Sequence, residues 1–345
     1  MNLSPADTRK EGSGFDLAVA VSILVSTGML PDGPDLLDTT FCGELALDGT
    51  LRPVNGTLSK ALAARDAGSK ALILPQENAK EAVWVEGLRI LPASSLAEVC
   101  RHLSGECRLA VYSNNHQPEH GASCDPGKDY SDVRGQEAAK RAIEVAAAGG
   151  HHLFLIGGPG AGKTMLASRV SGILPDPDLP EALEITRIHS VAGLAGDASG
   201  LVTQRPFRSP HHTISTIGLI GGGRIPKPGE ISLAHGGVLF LDELPEFSRF
   251  SLDALRQPME NGEVTLARIH ATLRYPSRFM LVAASNPCKC GYFGEHTRSC
   301  TCPPHDAERY FSRISGPLLD RIDIRHKVPA LSWQDITQRT AGESS

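Results

Sequence analysis

Over the first hundred positions, the apolar residues recur in some segments with the spacing of a helix and in others with that of a strand. Residues 15–30 show the spacing of an amphipathic helix, and residues 58–67 predict a second helix with Gly68 as its C-cap. Short apolar runs predict strands at 39–47, at 51–53 and at 71–74, the last ending at a proline. We therefore expect a small α/β module over residues 1–104.

A polar stretch separates this module from the rest of the chain. Residues 105–132 are rich in Asn, His, Pro, Gly and Ser and lack apolar periodicity, which is typical of an interdomain linker. Beyond it, five apolar runs alternate with helical or long connecting segments: 153–156, 185–188, 238–241, 279–284 and 322–328. Because parallel strands require such crossover segments, residues 133–330 predict an α/β core built on a doubly wound parallel sheet.

Composition excludes several classes of protein. The 345 residues are 41% hydrophobic and 21% charged, which is ordinary for a globular chain and sufficient for two domains. The longest apolar run, 18–25, is interrupted by Ser22 and falls short of the ~20 residues of a membrane span. The first residues carry no signal-peptide pattern. We expect a cytoplasmic protein without membrane contact.

Charge is unevenly distributed along the chain. The net charge is −5 overall, but residues 1–132 are acidic and the part from Val264 onward is mildly basic. A basic bias permits contact with nucleic acid, and a solvated face of mixed charge is the alternative explanation.

A glycine-rich segment carries the strongest chemical signal. It reads GGPGAGKT, matches G-x-x-x-x-G-K-[ST], and lies between a predicted strand and helix-forming residues. Its backbone N–H groups can surround phosphates, while Lys163 reaches the β and γ phosphates and Thr164 ligates magnesium. We therefore predict a site for ATP and Mg²⁺ formed by Gly157, Gly158, Pro159, Gly160, Ala161, Gly162, Lys163 and Thr164.

Two later strand ends supply further polar groups. The apolar residues 239–241 are followed by Asp242 and Glu243, where a P-loop ATPase carries its magnesium-holding carboxylate and its general base. The next predicted strand ends before Asn286, at the same edge of a parallel sheet. We predict that Asp242 and Thr164 hold Mg²⁺, that Glu243 activates water and that Asn286 orients it.

Taken in this order, the motifs resemble those of the AAA+ ATPases. The resemblance implies a P-loop AAA+ core and an arginine that acts on the nucleotide of a neighbouring subunit. Arg321, in the sequence GPLLDRID before the last predicted strand, occupies that position. Such an arginine supplies roughly 10³ to 10⁵ in rate. Arg313 is the alternative finger, and a structural arginine that binds carbonyl oxygens at a helix end is the alternative role for Arg321.

Half of the eight cysteines fall within one polar loop, residues 288–302. In a chain without secretory features this density favours a metal over disulfides, and four thiolates suit tetrahedral Zn²⁺. The Cys-x-Cys spacing is tighter than Cys-x-x-Cys, so free or redox-active thiols remain the alternative, and His296 and His305 are substitute ligands. The predicted ligands are Cys288, Cys290, Cys300 and Cys302.

Alternating residues at 263–275 predict a β-hairpin just before the strand that ends at Asn286. The hairpin carries Arg268, His270 and Arg274. Basic side chains there can hold a nucleic-acid backbone without reading its sequence, and a solvated edge hairpin explains the same pattern equally well.

Three longer segments resemble the magnesium-chelatase-like AAA+ ATPases, specifically their ComM (YifB) branch. They read PFRSPHH from Pro206, PGEISLAH from Pro228 and LDELPEF from Leu241, and the resemblance extends from about residue 9 to residue 334. It implies a hexameric ATPase that binds DNA independently of sequence and drives branch migration of recombination intermediates during natural transformation. A chelatase-type or protein-remodelling ATPase is the alternative.

The front module resembles a partial Lon-protease-like domain of the same family, beginning at residues 10–12. In that register the nucleophile position falls on Gly14 and its lysine partner on Leu58, although Ser13 and Lys60 lie close by. Proteolysis requires a Ser–Lys pair within hydrogen-bond reach, so we expect none.

The family also has sequence before this module and an α-helical lid after the last strand. We therefore expect the chain to be a fragment in which residues 331–345 begin the lid.

Overall fold

A computed structural model describes residues 13–113, 129–194, 200–223, 226–267, 272–294 and 298–330. The chain forms two compact units. The first comprises residues 1–119 together with 182–202, and the second comprises residues 120–181 together with 203–345. A segment between the P-loop and Asp242 thus groups with the front module.

The first unit is a small α/β unit around a parallel sheet. Its helices are α1 (Asp16–Ser26), α2 (Pro34–Leu37), α3 (Thr57–Asp66), α4 (Ala79–Ala82) and α5 (Leu96–Leu103). Its strands are β1 (Thr39–Phe41), β2 (Glu44–Leu45), β3 (Leu51–Arg52), β4 (Ala71–Pro75) and β5 (Arg89–Ala93). Strands β1, β4 and β5 form the parallel sheet in that order, and every residue of the central strand is buried. The predicted helices and strands are confirmed, except that the predicted strand 39–47 is divided into β1 and β2.

The second unit contains a larger parallel sheet. Its helices are α6 (Glu137–Gly149), α7 (Lys163–Ala167), α8 (Val170–Ile173), α9 (Leu179–Ala192, which extends into the first unit), α10 (Thr216–Ile220), α11 (Glu230–Leu233), α12 (Arg249–Ala254), α13 (Arg256–Asn261), α14 (Pro304–Phe311) and α15 (Gly316–Leu319). Its strands are β6 (Leu153–Ile156), β7 (Phe207–Arg208), β8 (Gly221–Gly222), β9 (Lys227–Pro228), β10 (Val238–Leu241), β11 (Glu263–Ala267), β12 (Thr272–Pro276), β13 (Met280–Ser285) and β14 (Ile324–Lys327). Five strands pair in the order β14-β6-β13-β10-β7, and all four pairings are parallel.

One of the five predicted strands is wrong. Residues 185–188 lie inside helix α9, where Ile185 and Ile188 are buried together with Ala182. The spacing of these positions is that of a helix face, and a four-residue window was too short to reveal it. The fifth strand is instead β7, whose two residues pair with β10. The other four predicted strands are confirmed within two residues at each end.

Apolar side chains bury both faces of the large sheet. Leu153 and Leu155 pack in one core cluster with residues of α6 and α7, whereas Phe154 between them belongs to a second cluster with Leu239 and Leu281. Near-continuous apolar strands are expected when helices cover both faces. The loops at the carboxyl ends of the central strands consequently meet at one edge, which is where the polar residues lie.

The predicted hairpin is confirmed as the antiparallel pair β11 and β12, with Val264 opposite Tyr275. Its basic residues Arg268 and His270 lie outside the described residues. In the part of the chain that is described, no helix combines the length and the apolar character that crossing a bilayer requires.

Candidate nucleotide-binding site and cysteine cluster

The glycine-rich loop joins the end of β6 to the start of α7. Lys163, the first residue of α7, is buried, and its Nζ donates to the carbonyl oxygens of Gly157 at 2.8 Å and Gly158 at 2.9 Å. Its positive charge therefore lies within the loop, where a phosphate-binding lysine is required.

Neighbouring elements hold the loop on two sides. The N–H of Gly157 donates to Ser285 of β13, and a side-chain carbon at Gly157 would lie 2.4 Å from the carbonyl oxygen of Val328, so only glycine fits. Gln136, just before α6, donates from Nε2 to the carbonyls of Ala161 (3.2 Å) and Pro329 (2.7 Å). Gln136 has no signal in the local sequence, because its partners are 25 and 193 positions away.

The two predicted magnesium ligands lie side by side. The hydroxyl of Thr164 donates to Oδ2 of Asp242 at 2.8 Å, and Oδ1 of the same carboxylate accepts from the N–H of Glu243 at 2.9 Å. Hydroxyl and carboxylate oxygens are ligands that Mg²⁺ prefers. These residues fit a magnesium ion bound together with a nucleotide.

The two residues predicted to orient and activate water, Asn286 and Glu243, lie beside the P-loop and Asp242. Oδ1 of Asn286 accepts from Nζ of Lys163 at 3.1 Å, which links the end of β13 to the P-loop. Glu243 has a left-handed backbone (φ 52°), which is uncommon for a residue other than glycine and is often found at functional sites. Its carboxylate lies 3.3 Å from Nδ1 of His212, whose ring lies 4.1 Å from that of His211. Both histidines belong to the segment PFRSPHH, whose local pattern gives no signal for a role at the nucleotide site.

An arginine–glutamate pair joins the segment PFRSPHH to the segment PGEISLAH. Arg208 of β7 donates from Nε and one terminal nitrogen to both carboxylate oxygens of Glu230, at 2.6 and 2.7 Å. Hydrogen bonding to this carboxylate raises the pKa of Arg208 above its usual value. The pair ties the strand that leads to His212 to the start of α11.

The two arginines considered as fingers occupy different places. Arg313 pairs with Glu246 at 3.0 Å and donates to the carbonyl of Pro245. Its side chain therefore contacts the segment that follows Glu243 in the same chain. Arg321 instead pairs with Glu260 of α13 and donates to the carbonyl of Pro317. The structure thus brings together the P-loop, Asp242, Glu243 and Asn286, but not Arg321.

The four cysteines of the 288–302 loop form one cluster. Their sulfur atoms all lie within 4.8 Å of one another, with separations of 3.3, 3.7 and 3.5 Å among Cys288, Cys290 and Cys300. A tetrahedral zinc site with Zn–S bonds of 2.3 Å has sulfur–sulfur edges of about 3.8 Å, whereas a disulfide measures about 2.0 Å. The spacing fits a shared metal ion.

The thiols of the cluster differ in acidity. The backbone N–H of Tyr292 helps lower the pKa of Cys290 to about 5, whereas burial and hydrogen bonding with Cys290 raise the pKa values of Cys300 and Cys302. His305 contacts Asp306 and is not part of the cluster, and His296 lies outside the described residues.

The front unit places a lysine opposite the predicted nucleophile position. A side-chain carbon at Gly14 would lie 3.0 Å from Nζ of Lys60, which donates to the carbonyl of Asn55. Leu58, the predicted position of the lysine partner, is fully buried. Gly14 supplies no hydroxyl for this lysine to activate.

The parallel sheet, the P-loop after β6 and the acidic pair after β10 define a P-loop nucleotide-binding protein whose architecture is consistent with the AAA+ ATPases. The family described as "Magnesium chelatase, subunit ChlI" matches residues 129–336, and "Subunit ChlI of Mg-chelatase" matches residues 1–78. The chain belongs to this magnesium chelatase ChlI family.

Relatives narrow the family to the predicted branch. The YifB protein of Escherichia coli (strain K12) is 47% identical over the whole chain, which covers 67% of that relative. The competence protein ComM of Haemophilus influenzae is 45% identical, with the same coverage. A Lon protease of Rhizobium meliloti is 35% identical over 28% of this chain and 12% of its own length. The predicted resemblance to ComM and YifB is confirmed, and the chain spans about two thirds of these two relatives.

Proposed function

We propose that this protein is a subunit of an ATP-hydrolysing AAA+ motor. The observation that carries the proposal is the set of hydrogen bonds joining Lys163 to Asn286 and Thr164 to Asp242, residues that are 123 and 78 positions apart. In this function the P-loop and Lys163 bind the phosphates of ATP, and Thr164 and Asp242 hold Mg²⁺. Magnesium, when bound, draws negative charge from the β and γ phosphates.

Glu243 and Asn286 handle the attacking water in this proposal. Glu243 accepts a proton from the water, His212 holds the carboxylate in place, and Asn286 orients the water through its amide. The short contact between Glu243 and His212 supports this division of roles.

Arg321 acts across a subunit boundary. Its contacts are with Glu260 and Pro317 of its own chain and not with its own P-loop, so any nucleotide on which it acts belongs to a neighbouring subunit. Its proposed role therefore requires an oligomer, and a homo-hexameric ring is the assembly that the family resemblance implies.

DNA is the proposed partner. One relative is named a competence protein, and two surfaces of the second unit carry basic side chains that can contact a phosphate backbone. The first is the hairpin, where the exposed Arg274 lies 4.0 Å from Glu263. The second is a cleft of about 610 Å³, and four basic residues and one carboxylate are among those that line it: Arg249, Lys289, Arg309, Arg313 and Asp306.

Two cations of that cleft are available to a ligand. Arg249 and Arg313 have carboxylate partners at 3.8 and 3.0 Å, whereas Lys289 and Arg309 are exposed and have no ion pair among the described residues. Phosphate contacts of this kind give affinity without base specificity.

The experiment that tests this function measures ATP hydrolysis by the chain with and without branched DNA, together with displacement of a labelled strand. We expect magnesium-dependent hydrolysis, DNA binding that weakens with salt, and ATP-dependent strand movement. Hydrolysis that no DNA stimulates, without salt-dependent DNA binding, would replace the DNA motor by the protein-remodelling alternative.

We further propose that the four cysteines hold structural Zn²⁺. Their closeness supports this proposal, since all four sulfur atoms lie within 4.8 Å of one another. Metal analysis of the chain purified without chelator should find about one zinc per chain, and a preparation that carries no metal although no chelator was used would refute the assignment.

A further inference from the structure

The cysteine loop packs directly against the P-loop. Gly291, which follows Cys290, has a left-handed backbone (φ 86°), and its Cα faces the ring of Pro159. A side-chain carbon at Gly291 would lie 2.5 Å from Cδ and 3.2 Å from Cγ of that proline. Both the backbone conformation and the closeness of the ring require glycine here.

The same loop has two other connections to the carboxyl edge of the sheet. Nζ of Lys327, the last residue of β14, donates to the carbonyl of Gly294 at 3.1 Å. At the beginning of the loop, Cys288 follows Asn286 by two residues, and Asn286 accepts from Lys163 at 3.1 Å. The cysteine cluster is thus joined to the nucleotide site through Asn286 and through Pro159.

Apolar burial does little to hold this loop in place. Among its described residues Cys288 is fully buried, but Lys289, Phe293 and Arg298 are exposed, and the remaining cysteines are only partly buried. Ordering a polar segment costs about 1–2 kcal/mol per residue in backbone entropy, which exposed side chains do not recover. A metal ion bound by four thiolates would supply the free energy that orders the loop.

We propose that metal binding by the four cysteines holds Gly291 against Pro159 and thereby positions the P-loop, so that metal occupancy controls the affinity of this protein for ATP. This inference rests on the proposed ATP and zinc sites. Linkage makes the effect reciprocal: the factor by which zinc strengthens nucleotide binding equals the factor by which nucleotide strengthens zinc binding.

The contact is tested first by a pair of glycine variants in the full chain. Gly291→Ala places a methyl group against Pro159, whereas Gly294→Ala adds the same group at a similar backbone conformation (φ 73°) with its nearest neighbour, Nζ of Lys327, 3.6 Å away. We expect Gly291→Ala to keep zinc and to weaken binding of a fluorescent ATP analogue by about tenfold or more, because small displacements of a binding loop are costly. Gly294→Ala should retain far more of the affinity.

A double variant shows whether the loss passes through the proline ring. Pro159→Ala removes the two ring carbons nearest to Gly291, so the additional loss caused by Gly291→Ala should shrink in that background. An equal loss in both backgrounds, or equal losses in Gly291→Ala and Gly294→Ala, would overturn the proposed contact.

The metal is tested separately from the contact. Zinc-loaded protein and chelator-treated protein are titrated with the ATP analogue. The double variant Cys300→Ser/Cys302→Ser is titrated in the same way, with Cys107→Ser as the control because it removes an exposed thiol outside the cluster. We expect weaker ATP binding in the chelated protein and in the double variant, with both still folded by circular dichroism, and slower zinc release when nucleotide is bound. Equal ATP affinity with and without zinc would overturn the linkage.

Failure of the underlying proposals is recognised in the same measurements. Zinc-loaded protein that binds no ATP would refute the proposed ATPase, and purified protein without metal would refute the zinc site. The linkage alone fails when both ligands bind and neither affects the other.

Discussion

The Arg208–Glu230 pair gives the most quantitative prediction. Both oxygens of Glu230 accept hydrogen bonds, at 2.6 and 2.7 Å, and the two side chains are only 31% and 21% exposed. Removing one partner of a buried ion pair costs about 3–5 kcal/mol, and exposed pairs contribute about 0–1 kcal/mol. At this intermediate exposure we expect Arg208→Met to lower the free energy of unfolding by about 2 kcal/mol.

The assay is chemical and thermal unfolding of the full chain, followed by circular dichroism. A loss of about 2 kcal/mol corresponds to a fall in Tm of about 4–8 °C for a unit of this size. Arg249→Met is the matched control, because Arg249 is 83% exposed and lies 3.8 Å from Asp253; it should change stability by less than about 0.5 kcal/mol.

A double-mutant cycle with Glu230→Gln isolates the interaction itself. We expect a coupling energy of about 2 kcal/mol between the two positions, since each hydrogen bond carries charge. A loss in Arg208→Met no larger than that in Arg249→Met, or a coupling energy close to zero, would refute the argument. Because β7 leads to His212, the same variant should also slow ATP hydrolysis while leaving ATP binding nearly unchanged.

Three further predictions concern the proposed activity. Lys163→Ala should abolish tight ATP binding, because it removes the positive charge that faces the phosphates. Glu243→Gln should keep ATP binding and lower turnover by about 10² to 10⁴. Equilibrium binding and phosphate release measure the two effects, and normal turnover in Glu243→Gln would contradict the assignment. Arg321→Ala should lose hydrolysis but keep nucleotide affinity, and mixing it with Glu243→Gln subunits that retain Arg321 should restore part of the activity; if mixing restores nothing, Arg321 does not act across subunits. Arg274→Ala should lower the slope of log affinity against log salt by roughly 1 for DNA of any sequence, measured by fluorescence anisotropy. Arg141→Ala is the control, because Arg141 is an exposed residue of α6 that pairs with Glu144 at 2.9 Å. An unchanged slope in Arg274→Ala would remove the hairpin from the DNA contact.

The P-loop could be predicted because its information is contiguous. Eight adjacent residues between a strand and a helix specify backbone conformation, charge and hydroxyl together, and the acidic pair directly follows an apolar run. The cysteine cluster was equally local, since spacing alone brought four thiols into one loop. The roles of these residues stay predictions, but the structure does place Thr164 beside Asp242 and Lys163 beside Asn286, and it brings the four thiols together.

Short elements and long-range partners could not be predicted in this way. The run at 185–188 resembles a strand in isolation, and only the packing of the whole of α9 reveals its helical face, while the two residues of β7 are too few to show any period. Local pattern is weak evidence for short segments, because tertiary packing decides their state.

The amino-acid sequence by itself determined the chemical groups of this protein and most of its large sheet: the P-loop, the carboxylates, the four thiols and four of the five strands. Only the tertiary structure decided which residues support that chemistry. Gln136 reaches the P-loop, His212 meets Glu243, Arg208 pairs with Glu230, and Gly291 lies against Pro159. The physical reason is that parallel strands separated along the chain end at one edge of the sheet, so their loops meet there without any signal in local spacing.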